Sequence, residues 1–341
     1  MVNVQAGATI IDTDGGVDDA IALVMALNCD REALEGRHRL ALEAITVVAG
    51  NVDVHQAAHN VLRTIDIVDP KLRPLVAKGC DKPLMRSPFN AVGIHGSDGL
   101  GELHRFKNSD GSLRYPPISA EPSSEDAVEV LLKGARDYGD ELIIVALGPL
   151  TNLATALERD RATLQKVGRI YIMGGAIKVP GNISAAAEFN FFVDPHAAQM
   201  VMESGIPLTL VGLDVTMKVP LFRRGVEDLA RKFPSPVTQF VADCTEIYMA
   251  FHRDNEGFHG CYLHDPLAVG AAMAPSLVAT QPLWVVVETE GRFTSGMSLA
   301  DLRDRSNESA FPPNVDVALS VDADRFFKLF YQLVQLPSNE K

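Results

Sequence analysis

Four aspartates and two glycines crowd one stretch near the start of the chain: Asp12-Thr13-Asp14-Gly15-Gly16-Val17-Asp18-Asp19-Ala20. An acidic pair such as Asp18 and Asp19 suits the first turn of a helix, where the macrodipole favours negative charge. That structural reading accounts for only two of the four. Carboxylates packed this closely repel one another unless a cation sits among them. Oxygen donors suit a hard divalent ion, with about six to eight ligands around Ca²⁺ and six in octahedral geometry around Mg²⁺. The stretch reads as a metal site.

Further polar residues recur beside glycines: Gly50-Asn51, Leu147-Gly148-Pro149-Leu150-Thr151-Asn152, Met173-Gly174-Gly175, Gly181-Asn182 and Ala187-Glu188-Phe189-Asn190. Each alone is an ordinary turn. In Leu263-His264-Asp265-Pro266, a helix start with Asp265 as N-cap and Pro266 at the first position explains two residues. It leaves His264 without a task, and a carboxylate beside a histidine suits metal-assisted acid–base chemistry.

The elements that must position these residues alternate along the chain. The run from Ala8 to Ile11 leads as a strand into the aspartates, and Ala20 to Leu27 leads out as a helix. Ala41–Ala49, Leu75–Ala77, Leu142–Leu147, Ile170–Met173 and Leu208–Leu213 read as strands. Helical patterns cover Val54–Val68, Ser124–Tyr138 behind a Ser123–Asp126 capping sequence, Leu150–Leu157, and a helix begun by Pro195 after the cap Asp194. Residues 82–117 are loop-rich. Continuous apolar strands separated by helices indicate an open, mostly parallel, Rossmann-like α/β sheet with helices on both faces. No repeat or linker splits residues 1–341, so one domain is expected. Ligands of such sheets bind at the carboxyl ends of the strands, which is where the polar motifs fall.

Composition narrows the classes. A net charge of −13 disfavours nucleic acid or an anionic membrane as partner. Hydrophobic content of 47% is enough for a large core. Cys29, Cys80, Cys244 and Cys261 form no C-x-x-C pair and read as reduced thiols of a cytoplasmic protein. The N-terminus shows no basic n-region of a signal peptide. The longest apolar run, Leu142 to Leu157, is broken by Gly148, Pro149 and Asn152, so no membrane span is expected.

Two families place aspartates after a first strand. The haloacid-dehalogenase-like Mg²⁺-dependent phosphatases use an Asp-x-Asp-Gly-Thr turn, which Asp12-Thr13-Asp14-Gly15-Gly16 half matches; Asp12 would then be a nucleophile toward sugar phosphates. That reading needs a later lysine and acidic motif, for which the chain offers no strong pair. The stretch from Asp12 to Ala20 more closely resembles the Asp-x-Asp-Pro-Gly-x-Asp-Asp-Ala signature of the inosine-uridine preferring nucleoside hydrolases, departing only at Gly15, where proline is usual. Gly50-Asn51, Gly148 to Asn152, Met173 to Gly175, Gly181-Asn182, Glu188 to Pro195 and His264-Asp265-Pro266 resemble that family's later motifs, in order.

The resemblance implies a Ca²⁺ held by Asp14, Asp19, Asp265 and the Leu147 carbonyl. A water acidified by the ion would give its proton to Asp14 as general base. Asp18, Asn51, Asn182, Glu188 and Asn190 would bind the ribose hydroxyls of a ribonucleoside, with Met173 lining the pocket. Asp12 would only stabilise the turn, and Gly15 would loosen it. N-glycosidic hydrolysis through an oxocarbenium-like transition state follows, with His264 as acid for the departing base. A homodimer or homotetramer is expected.

The base pocket is less legible. His95, and Tyr248, Phe251, His252 and Glu256 in the helix-like stretch from Thr245 to Glu256, could supply its walls by stacking on a base. Tyr248 and Phe251 read equally well as core or surface. Trp284 reads as structural, inside an apolar strand from Leu283 to Val287. His38, His55, His59, His104, His196 and His259 read as surface or helix histidines. A catalytically silent nucleoside-binding protein is the third alternative, disfavoured because the set of candidate ligands is complete.

Overall fold

The computed structural model describes residues 7–29, 40–303 and 311–336. Strand β1 (Gly7–Thr13) runs into helix α1 (Val17–Cys29), all of whose residues are buried. Then follow β2 (Leu40–Val47), α2 (Val54–Val68) and β3 (Leu75–Lys78). After a long irregular stretch holding the short α3 (Val92–His95) come α4 (Ala127–Tyr138), β4 (Ile143–Ala146), α5 (Thr151–Leu164) and β5 (Arg169–Met173). The chain continues through α6 (Phe189–Val193), α7 (Pro195–Met202), β6 (Leu208–Val211), α8 (Leu213–Thr216), β7 (Pro220–Phe222), α9 (Arg223–Lys232) and α10 (Pro236–Glu256). It ends with β8 (Gly260–Tyr262), α11 (His264–Met273), β9 (Val278–Leu283), β10 (Val285–Val287), β11 (Ser298–Ala300), β12 (Val315–Val321) and α12 (Ala323–Val334).

Eight strands form one sheet in the order β3-β2-β1-β4-β5-β6-β12-β9, parallel except where β9 pairs antiparallel with β12. Both faces are buried because neighbouring residues of a strand point to opposite sides. Ile10, Ile144 and Ile170 pack in the cluster that includes α4, α5 and α7. Ile11, Val145 and Tyr171 pack in the cluster that includes α1, α2, α10 and α11. Each fully buried aliphatic side chain is worth about 1.5–3 kcal/mol relative to exposure. The alternation therefore pins the register of every central strand. The chain runs outward from β1 to β3, then returns to lay β4 against the other side of β1. A crevice opens at the carboxyl ends of strands where order reverses, here just after Thr13 and Ala146.

Several local expectations shift. Helix α4 starts at Ala127, with Asp126 rather than a serine accepting from the Glu129 amide as N-cap. Asp194 does cap α7, accepting from Ala197 N, with Pro195 next. Helix α5 continues past Leu157 to Leu164 through a kink at Asp160, a polar stretch that hides the apolar period. Asp265 lies inside the first turn of α11, whose cap is Leu263. Trp284 falls between β9 and β10, which belong to different sheets, and stacks on Phe311 at 4.3 Å. The antiparallel pairs β7–β8 and β10–β11, and the addition of β12 and β9 to the sheet, were not foreseen. Among the described residues no helix is long and apolar enough to cross a membrane.

Candidate active site

The aspartate stretch is a tight turn from β1 into α1. Asp19 is its hub: the Thr13 hydroxyl, the amides of Asp14 (3.2 Å) and Gly16 (2.9 Å), and Asn51 Nδ2 (3.2 Å) all donate to its carboxylate. Asp14 receives the Asn51 amide at Oδ2 and Asn51 Nδ2 at Oδ1, each at 2.8 Å. Asp12 points elsewhere. Its Oδ1 accepts from Thr46 and Asn152, at 2.6 and 2.7 Å, while Oδ2 is buried with no partner.

Gly15 does not loosen this turn. Its φ is +71°, a region closed to proline, whose ring holds φ near −65°. A Cβ there would come within 2.7 Å of Ala57 Cα, and its carbonyl is fastened by Asn60 Nδ2 at 2.8 Å. This turn therefore has a backbone that the usual proline could not adopt.

From the far side of the crevice, α11 brings Asp265. Oxygens of Asp18, Asp19 and Asp265 lie within 4.8 Å of one another, all three residues buried. Asp18, which the sequence reading assigned to ribose, thus joins the converging oxygens; Asp14 is tied directly to Asn51 beside them. The Leu147 carbonyl has a partner, Asn190 Nδ2 at 2.6 Å, which leaves one of its two lone pairs. Asn190 also donates to the Met173 carbonyl at 3.1 Å. Glu188 caps α6 and accepts from the amides of Gly175, Asn190 and Phe191. Asn182 Oδ1 accepts from Phe189 N at 3.0 Å.

These residues face a cleft of about 250 Å³. Of the residues singled out in the sequence, Asp18, Asn51, His95, Leu147, Met173, Asn182, Glu188, Asn190, His252, His264 and Asp265 all line it, while Asp14 and Asp19 lie beneath, bonded to Asn51. Tyr248 and Phe251 line it too. His55, His59, His104, His196 and His259 do not, and His38 lies outside the described residues.

One wall is a row of rings. His95 stacks on Tyr248 at 5.0 Å, Tyr248 meets His252 at 4.9 Å, and Tyr262 lies 5.7 Å from His264. His252 Nδ1 bonds Glu256 at 3.0 Å and its Nε2 is buried without a partner. His264 does have a structural contact, Thr216 Oγ1 at 2.8 Å from Nδ1. Sequence reasoning missed Tyr262 and Thr216. The first had a signal, since residues two apart in an extended segment share a face; the second, 48 positions away, had none.

Burial dominates the electrostatics. It pushes Asp14 and Asp265 well above the carboxylate range, reinforced by neighbouring aspartates. Asp18 rises to about 8 by burial and then Asp19, and Glu188 to about 7 by burial against opposing amide bonds. His95 falls to about 4 and His264 to about 3, because a buried imidazolium has lost its water. Among the described residues no lysine or arginine lines the cleft. All-oxygen donors, buried and with no cationic side chain, fit a hard divalent cation.

The fold and site together define an α/β protein of the open-sheet class, with a buried carboxylate cluster at the topological switch point and aromatic and imidazole walls around one cleft. The family model described as inosine-uridine preferring nucleoside hydrolase matches residues 9–328. The chain belongs to that family, and with it to the hydrolases acting on N-glycosyl bonds of ribonucleosides. It is 38% identical over 324 residues to a pyrimidine-specific ribonucleoside hydrolase, RihA, of Klebsiella pneumoniae, covering 95% of this chain and 96% of that one. Among solved structures it resembles a plant nucleoside hydrolase, PpNRh1, with TM-score 0.85, 32% identity and coverage of 98% and 100%. A purine-preferring ribonucleoside hydrolase from Gardnerella vaginalis follows, with TM-score 0.84, 32% identity and coverage of 96% and 98%.

Proposed function

We propose that the chain is a Ca²⁺-dependent ribonucleoside hydrolase that prefers pyrimidine nucleosides. The observation that carries the reading is the convergence of buried aspartates with Asn51, Glu188 and Asn190 around one cleft that no lysine or arginine lines among the described residues. Asp14, Asp19, Asp265 and the Leu147 carbonyl would hold the ion, and Asp18 stands near enough to share in it. When bound, Ca²⁺ supplies the positive charge that keeps these carboxylates ionised and acidifies a nearby water.

The side chains then divide the work. Asp14, oriented by Asn51 at both oxygens, takes a proton as general base. Asn51, Asn182, Glu188 and Asn190 position ribose hydroxyls, which pair well with carboxylates and amides. The dense negative charge stabilises the oxocarbenium-like ring. His264, neutral when buried and held by Thr216, presents its other nitrogen to the departing base. The phosphatase reading loses its nucleophile, because Asp12 is bound to Thr46 and Asn152 and does not line the cleft.

The pyrimidine preference follows the RihA relatives, with higher identity than the purine-preferring structure. Release of free base from uridine, cytidine, inosine and adenosine tests both levels. Uridine or cytidine should exceed inosine at least tenfold in kcat/KM. A better purine substrate overturns the preference, and no base release from any ribonucleoside overturns the function.

A further inference from the structure

The carboxylate turn and the loop that carries the imidazole wall onward from His95 belong to segments far apart in sequence, yet one buried side chain bonds to both. Asn60, on α2 and 2% exposed, spends its single amide nitrogen on two carbonyls: Gly15 O in the aspartate turn and Asp98 O in the loop after His95, each at 2.8 Å. Its Oδ1 is filled by Gln56 Nε2 at 2.9 Å, which sets the orientation of the amide.

The loop itself is shaped to sit there. Asp98 gathers the amides of Leu100, Glu102 and Leu103 with its carboxylate. Gly99, at φ +74°, lies so close that a Cβ would come within 2.8 Å of Val52 and 2.9 Å of Asn60 Nδ2. Gly101, at φ +75°, presses against the Cys244 carbonyl of α10, where a Cβ would stand at 2.4 Å. The loop is thus held between the turn and α10. A second link runs through His95, whose Nδ1 accepts the amide of Val17, the first residue of α1, at 3.0 Å. An Nδ1 that accepts leaves the ring proton on Nε2, so His95 meets the cleft as a neutral donor.

We propose that Asn60 is a positioning residue. It registers the His95 wall against the carboxylate turn, so that the ribosyl and base halves of a nucleoside are read in one fixed geometry. The inference rests on the ribonucleoside reading above. Asn60 touches no substrate; it acts through Gly15 and Asp98.

A double-mutant cycle between Asn60→Ala and His95→Ala tests it, with uridine and a nitrophenyl riboside as substrates. The nitrophenyl compound needs the ribosyl half but carries no nucleobase. Asn60→Ala should lower kcat/KM for uridine at least tenfold and change the nitrophenyl riboside less than threefold. In the His95→Ala background the uridine loss should shrink to under threefold, because the residue being positioned is gone. Equal losses on both substrates, or full additivity with His95→Ala, would reduce Asn60 to a fold-stabilising residue. Should Asn60→Ala not fold, Asp98→Asn loosens the same loop from its other side, and the same substrate split is expected or the proposal fails. If wild-type protein hydrolyses neither compound, the functional reading fails instead.

Discussion

Asn51 holds both oxygens of Asp14 at once, through its backbone amide and its side-chain amide, each at 2.8 Å. The approach is possible because residue 50 is glycine: a Cβ there would lie 2.0 Å from Asp14 Oδ2. A carboxylate held at both ends has one orientation, which a general base needs.

Asp14→Asn should therefore reduce kcat for base release by roughly 10²–10⁴, the range for loss of a positioned general base. Asp12→Asn should cost much less, because Asp12 faces Thr46 and Asn152 rather than the cleft. Steady-state release of uracil from uridine measures both. The reverse ranking would return weight to Asp12 as a nucleophile.

Metal content is the second expectation. Protein purified without chelator should carry about one divalent ion per chain. Binding only the folded state adds about 2.7 kcal/mol at a free ion concentration one hundred times Kd. Chelation should lower Tm and abolish turnover, and added Ca²⁺ should restore both. Full activity in a metal-free preparation would contradict the assignment.

His264→Ala separates the two halves of the reaction. If His264 serves the departing base, hydrolysis of uridine should slow by roughly 10²–10⁴. Hydrolysis of a ribosyl nitrophenolate, whose leaving group departs as a stable anion, should slow far less. Asp265→Ala should damage both alike, since its carboxylate belongs to the buried aspartate cluster proposed to hold the ion. Equal losses for the two substrates in His264→Ala would leave His264 only shaping the pocket.

The metal-free protein should lose stability as pH rises from about 6.5 to about 9. Burial raises Glu188 to about 7 and Asp18 to about 8, above their unfolded values, so the folded state binds more protons in this window. Stability from such a group is present below the unfolded value and lost as pH rises through the folded one, at up to about 1.4 kcal/mol per pH unit for each group still protonated. His95 and His264 have the opposite sign, but act below their unfolded value of 6.5. Urea unfolding across this range checks the slope, which saturating Ca²⁺ should flatten. A rising slope in chelated protein would refute it.

Much of this molecule was written locally. The strand–turn–helix around Asp12 to Ala20, the alternation of apolar strands with helices, and the polar residues at strand ends all follow from short-range periodicity and turn chemistry. With parallel strands, those ends share one crevice, so motifs scattered from Asp14 to Asp265 were bound to converge. What the tertiary structure decided were partners. The chain does not say that Asp18 joins Asp19 and Asp265, that Asn190 occupies the Leu147 carbonyl, or that Thr216 holds His264. Nor does it say that Gly15 takes a positive φ and hands its carbonyl to Asn60, 45 residues away. Periodicity determines which face a residue takes within its own element. Which donor meets which acceptor depends on how separate elements pack, and burial then makes each such pairing costly to leave unmade.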